Sequence, residues 1–489
     1  MKNEDLKKLY PSTLWDIFAD ICAIPHPSKH EGQILAWLKS WAKEHQIECE
    51  QDETGNLVLR KPATKGMENR TPIILQGHVD MVPQANSDVQ HDFTKDPIIP
   101  VIGEDGWLRA KGTTLGADNG IGAAAALALL LEKNIEHGAI EVFLTVDEET
   151  GMTGAFGLKK GFLKGDILIN LDSETEGEMY VGCAGGLDAN IEKECKTEPV
   201  ADNMQGARLF ISGLKGGHSG MDINLGRANA NKLLTRLLMK GKEEVGLRIA
   251  SIHGGSLRNA IPREAEAIVA LPKDKIDAMK TLVQNCTEIL RKEFAATEPD
   301  LKIELTLTDT PTEVLKTCCD TPVLQLAYAL PHGVLRMSDS MKDLVETSNN
   351  FAIFTLENGK LTIANLLRSS VDSAKDAVGE KIKSIAELAG AQVTLTGGYP
   401  GWKPNMDSPI LKTAINTYSE KYGKKPEIMA IHAGLECGLF GVNYPHWDMI
   451  SFGPSIMHPH SPDERVNIES VGKFWDFLQA LLKNAPIKS

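Results

Sequence analysis

Apolar positions change period several times along the chain, and each change predicts an element. Leu14, Ile17, Phe18 and Ile21, then Ile34, Leu35, Leu38 and Trp41, recur at three- and four-residue spacings, which predicts two amphipathic helices flanking a proline break at 25–27. Strand-like runs follow at 56–60, 72–75, 140–146 and 166–171, with an apolar helix over 123–131 between the second and third. Strands alternating with helices predict an α/β domain with a mostly parallel central sheet.

After Gly185 and Gly186 the texture shifts to short strands at 208–211, 247–252, 267–271 and 303–307, with helices at 228–239 and 275–291. A comparable set follows: a helix near 323–330, strands at 351–356 and 361–367, a helix at 374–388 and a strand at 392–396. This predicts an α+β insert in two similar halves. The stretch 397–401, rich in glycine, reads as a second hinge, after which a strand at 449–452 and a helix at 471–482 return to the first texture. The expected organisation is one domain built from 1–185 and 397–489 and a second from 186–396.

Composition narrows the function. The 489 residues are 42% hydrophobic and 24% charged, the balance of a globular protein. Lys and Arg number 52 against 66 Asp and Glu, a net charge of −14, which repels phosphate backbones and argues against nucleic-acid partners. The longest apolar stretch, 121–131, is well short of the ~20 residues that cross a bilayer, so no membrane association is expected. The first residues lack the apolar core of a secretory signal, and the eight cysteines form no CxxC pair, as for free thiols in a reducing compartment. The expectation is a cytoplasmic protein.

Candidate chemistry gathers where strands end. His78 and Asp80 lie two residues apart on one side of an extended chain, where an imidazole can bind a metal while a carboxylate fixes its orientation. Asp118 opens the apolar helix from a glycine-rich loop, either as a functional carboxylate or as a cap. The nearby GxGxxA match at 120–125 is no dinucleotide fingerprint, because polar Thr113, Thr114, Asp118 and Asn119 stand where a strand is needed. Asp147, Glu148 and Glu149 end the strand at 140–146, and adjacent carboxylates repel unless a cation neutralises them. Asp172 ends the next strand, and His458 and His460 follow the last one. Two histidines and four or five carboxylates at strand ends suit a two-metal hydrolytic centre, with zinc first and manganese or cobalt as substitutes.

The order HxD, Asp in GADNG, Glu-Glu, strand-end Asp and late His resembles the M20 zinc peptidases. The longer words IPHPSKHEGQI, KGTTLGADNGIG, LKGGHSG, LRNAIPREA, IHAGLECGLF and PHSPDE resemble the aminoacyl-histidine dipeptidases among them, over essentially the whole chain. The resemblance implies a catalytic domain formed by both termini and a lid formed by the insert. It implies that His78 and Asp172 bind one zinc, Glu149 and His460 the other, and Asp118 both, with Asp80 orienting His78 and Glu148 as general base. It selects His460 over His458, as the histidine immediately before Ser-Pro-Asp-Glu, and implies a cis bond between Asp118 and Asn119. His218, Asn259, Arg368 and Gly434 become substrate contacts. In GHSG, Met221 stands where a serine hydrolase's GxSxG needs glycine. The implied activity is hydrolysis of dipeptides with a C-terminal histidine, such as β-alanyl-histidine, by a homodimer. The alternatives are another exopeptidase or N-acyl amino acid deacylase of the same architecture, and an inactive binding or scaffolding protein, against which the complete ligand set counts.

Overall fold

The early apolar runs become neighbours in one eight-stranded sheet of the computed structural model, which describes residues 5–488. Its order is Glu48–Gln51, Leu57–Lys61, Ile140–Thr145, Ile73–His78, Ile167–Asn170, Asp448–Ser451, Glu178–Cys183 and Glu427–Ile431. The four strands from Ile140–Thr145 to Asp448–Ser451 run parallel. Three of them are buried at every position, which is why they read as continuous apolar runs without alternation. Leu57–Lys61 pairs antiparallel with both Glu48–Gln51 and Ile140–Thr145, and Glu178–Cys183 pairs antiparallel with Asp448–Ser451; Glu48–Gln51 and Leu57–Lys61 are joined by a turn too short for a crossover.

The helix Ala117–Leu131 is buried everywhere except Asp118 and Leu131, as expected of a helix apolar all round. It starts earlier than its apolar run, with non-helical Asp118 and Asn119 inside it and a cis bond between them. Elements that the sequence pattern leaves unannounced are the helix Pro409–Tyr422 and a small sheet of Pro100–Ile102, Trp107–Ala110, Arg465–Asn467 and Ile456–Met457.

The insert carries a second, antiparallel sheet built from two nested βαββαβ halves. One half is Met204–Ser212, helix Ala230–Val245, Arg248–Gly254, Ala265–Pro272, helix Ile276–Glu293 and Lys302–Thr308. The other begins with Gly185–Glu194, is interrupted by the whole first half, and resumes with helix Thr317–Ala329, Val345–Glu357, Lys360–Ser369, helix Asp372–Leu388 and Gln392–Tyr399. The halves join where Arg248–Gly254 pairs with Val345–Glu357. Leu234, Met279, Val323 and Ile382 from the four helices share one core with Leu209, Val269, Phe354 and Ile363 from the strands.

By contact the chain divides into Met1–Gly182 with Pro404–Ala430 and Leu435–Ser489, and Cys183–Lys403 with Ile431–Gly434. The breaks thus lie a few residues from those expected at 185 and 396, and four residues near the end return to the second unit. Of the stretch 397–401 expected as the second hinge, Gly397 and Gly398 lie within the strand Gln392–Tyr399, where the register shifts between Thr396 and Tyr399, and Gly401 lies beyond it, just before the break between Lys403 and Pro404. Glycine serves an irregular strand as readily as a hinge, and composition does not separate the two. No helix among the described residues is long and apolar enough to cross a membrane.

Candidate metal centre

The parallel strands deliver their side chains from one end. His78 closes its strand, Glu148 and Glu149 follow Ile140–Thr145, Asp172 follows Ile167–Asn170, and the His460 loop follows Asp448–Ser451. His78 Nδ1 lies 3.0 Å from the Asp80 carbonyl oxygen, an acceptor, so that nitrogen carries the proton. His78 Nε2 faces Asp118 Oδ1 at 3.2 Å and Asp172 Oδ1 at 3.4 Å. His460 Nε2 lies 3.1 Å from Asp118 Oδ2 and 3.0 Å from Glu149 Oε2. Asp118 therefore turns one oxygen to each imidazole. His458 is exposed and makes none of these contacts.

Asp80 ties this cluster together. Its carboxylate accepts from Ser28 Oγ at 2.8 Å and from the backbone N–H groups of Glu148 at 3.0 Å and Glu149 at 3.2 Å. Burial works to raise this carboxyl, but His78 and these donors hold it at about 2. The hydrogen bonds with Asp118 and Glu149 raise His460 to about 11. Burial, helped by Asp118 and Glu149 against the pull of His78, pushes Asp172 up to about 6. Glu148 is driven well above the ordinary carboxylate range, first by burial and then by Asp172, Glu436 and Glu149, with His78 opposing.

The residues expected to touch substrate lie in the second unit. His218 Nδ1 accepts from the N–H groups of Gly220 at 3.2 Å and Met221 at 3.1 Å, which leaves the proton on Nε2. Burial and the Arg368 charge lower its pKa, so the ring is a neutral donor. Asn259 is exposed beside it: its carbonyl accepts from Ser219 at 2.8 Å, and the next residue, Ala260, pairs with His218. Arg368 is buried, with one nitrogen 3.3 Å from Tyr399 Oη and its Nε without a partner. Among the described residues no carboxylate pairs with it, so the guanidinium is equipped for an anion from outside. Gly434 makes room for that tyrosine, since a Cβ there would come within 3.1 Å of the Tyr399 ring.

Residues 74–484 match the peptidase family M20/M25/M40. The chain belongs to this family. Over 484 residues it is 50% identical to the cytosol non-specific dipeptidase of Escherichia coli (strain K12), spanning 99% of this chain and 100% of that relative. It matches the crystal structure of aminoacylhistidine dipeptidase from Vibrio alginolyticus at 49% identity and a TM-score of 0.95, over 100% of this chain and 99% of that one. Aminopeptidase PepT from Bacillus cereus ATCC 10987, 18% identical with a TM-score of 0.56 over 98% of this chain and 99% of that one, shares the fold.

This M20 chain is thus an enzyme of a hydrolase family, and the family implies a metal ion. The residues fit one. Ligand atoms of His78, Asp118 and Glu149 lie within 4.8 Å of one another. Glu149 Oε1 and Asp172 Oδ1 are buried without a hydrogen-bond partner, and buried carboxylates gathered this closely repel one another unless a cation lies between them. A second acidic trio, Glu31, Asp80 and Asp147, is instead occupied by its own donors, among them Ser28, Thr150 and Thr153.

Sequence reasoning missed the polar chain behind the candidate ligands. Glu436 Oε2 accepts from Gln76 Nε2 at 2.5 Å and Thr145 Oγ1 at 2.9 Å. Gln76 accepts from Asn170 at 2.5 Å, and Asn170 from Ser451 at 2.5 Å. Gln76 and Asn170 each precede a candidate ligand by two residues, and a polar residue two before a strand-end ligand in a buried strand is a signal the sequence did carry.

Proposed function

We propose that this enzyme hydrolyses dipeptides, preferring a C-terminal histidine as in β-alanyl-histidine, with two zinc ions. The observation that carries the reading is the Asp118 carboxylate, one oxygen turned to His78 and the other to His460, with Asp172 and Glu149 alongside. In this reading His78 and Asp172 hold one zinc, Glu149 and His460 the other, and Asp118 both; manganese and cobalt accept the same nitrogen and oxygen donors. Bound there, the metal pair supplies Lewis acidity that brings the pKa of water towards ~7 and polarises the scissile carbonyl.

The chain's own residues do the rest. Glu148 takes the proton of the attacking water on its carboxylate and passes it to the leaving amide nitrogen, and burial of that carboxyl raises its affinity for the proton it must carry. Asp80 orients His78 and, through the backbone N–H groups of Glu148 and Glu149, holds the base. His218 offers its Nε2–H to the carbonyl oxygen as negative charge develops there. Arg368, which no carboxylate among the described residues pairs with, grips the terminal carboxylate of the substrate and so restricts cleavage to short peptides. Asn259 and Gly434 shape the polar contacts around it.

The named relatives support the dipeptide scale and differ on the second residue, one being called non-specific and the other an aminoacylhistidine dipeptidase. By the same resemblance we place the enzyme in the cytoplasm as a homodimer. A panel of β-alanyl-histidine, other dipeptides, tripeptides and N-acetyl amino acids tests the assignment. The highest kcat/KM is expected for β-alanyl-histidine. Equal rates on all dipeptides would remove the histidine preference, and faster turnover of N-acetyl amino acids would replace the reading with a deacylase.

A further inference from the structure

Two words from distant parts of the sequence meet at one carboxylate. Gly116, just before the helix Ala117–Leu131, lies in the left-handed region with φ 70°. A left-handed residue leading into a helical turn points successive backbone N–H groups into one concavity, which accepts an anion. The anion here is Glu464. Its Oε2 accepts from Leu115 at 2.7 Å and Gly116 at 2.9 Å, and its Oε1 from Ala117 at 2.8 Å and Asp118 at 3.2 Å. Glu464 is 2% exposed, and its own N–H donates to the Ser461 carbonyl at 2.9 Å, which ties it to the turn that follows His460. One carboxylate thus locks the loop of Asp118 to the loop of His460, the two side chains that face each other at 3.1 Å.

We propose that Glu464 is a positioning residue for the metal centre: it fixes Asp118 and His460 relative to each other and so sets the affinity of the metal position they share. The proposal rests on the reading of Asp118 and His460 as ligands. Capping the helix alone needs only a nearby Ser, Thr, Asp or Asn. Taking all four N–H groups with a residue 346 positions away, anchored beside His460, does something a local cap does not: it makes the distance between two ligands a property of one side chain.

Glu464→Gln and Glu464→Asp in the full-length protein test this. Glutamine keeps the length but turns an NH2 towards two N–H donors; aspartate keeps the charge, is one methylene shorter, and provides the same readouts if the glutamine variant does not fold. Stepwise zinc affinity is measured by competition with a chromophoric chelator, alongside kcat and KM at limiting and saturating zinc and the melting of the metal-free chain. The expected result is one zinc equivalent weakened ~10–100-fold and the other, which shares only Asp118, weakened less, with KM unchanged and kcat lost at limiting zinc but recovered at saturation. Unchanged affinity of both equivalents overturns the proposal, as does a loss of kcat that zinc does not recover, or a lower melting temperature as the sole effect. A parent protein that binds no zinc refutes the ligand reading itself, and with it the proposal, before any variant is made.

Discussion

Replacing Gly122 by alanine should separate the stability of the helix from the geometry of the centre. In an open helix position alanine is favoured over glycine by about 1 kcal/mol. At Gly122 a methyl would stand 2.5 Å from the Leu171 carbonyl oxygen and 2.7 Å from both terminal atoms of the Asn119 amide. Ordinary carbon–oxygen contacts begin near ~3.3 Å, so helix and strand end must part by about 0.8 Å. The carbonyl has little freedom to yield, since it already accepts from Asn119 Nδ2 at 2.8 Å. Overpacking of this kind costs about 1–3 kcal/mol, which the helix gain partly offsets, leaving a net destabilisation of about 0–2 kcal/mol. The displaced atoms adjoin Asp118 on one side and Asp172 on the other. A misplacement of about 1 Å between groups that must act together costs on the order of 100-fold, or about 2.7 kcal/mol of transition-state stabilisation. Urea unfolding and kcat/KM at saturating zinc, measured on the same preparation, should show a modest loss of stability with a ~100-fold loss of activity. A folded variant within threefold of the parent activity would refute the idea that this helix-to-strand approach sets the spacing of the proposed ligands.

Other perturbations separate the remaining roles. Glu148→Gln should keep the metal content and lose about 10²–10⁴ in kcat, because its side chain holds no metal in the proposed set; near-parental kcat would remove it as the base. His460→Ala should lower zinc content by one equivalent, measured by atomic absorption, whereas His458→Ala should not, and the reverse pattern would reassign the ligand. Arg368→Met should chiefly raise KM for β-alanyl-histidine, and an unchanged KM would remove Arg368 from the proposed substrate contacts.

The parts of the centre that the sequence announced are those where local pattern and chemistry coincide. Buried parallel strands appear as unbroken apolar runs, and the polar residue that ends each run stands out: His78, the Asp147 to Glu149 acids, and Asp172. His458 and His460 could not be told apart by pattern, because both lie in a loop; the word Ser-Pro-Asp-Glu separated them, and in the structure it is His460 that faces Asp118 and Glu149. What stayed hidden depends on pairing over long distances or on backbone donors. The strand Gly185–Glu194 belongs with Lys360–Ser369 and Gln392–Tyr399, a register no local period encodes, so the nesting of one half inside the other was not legible. The clasp made by Glu464 uses four backbone N–H groups, which leave no trace in side-chain composition. Strands of two or three residues, such as Ile456–Met457 and Arg465–Asn467, are too short to carry a period.

The central claim is metal-dependent cleavage of a histidine dipeptide, and release of free histidine from β-alanyl-histidine tests it most directly. Purified protein is assayed as isolated, after removal of metal with a chelator, and after zinc is restored, with bound zinc counted at each stage. The account predicts activity that disappears with the metal and returns with about two equivalents of zinc. Histidine release that survives complete removal of metal, or no release from protein confirmed to hold zinc, would contradict it.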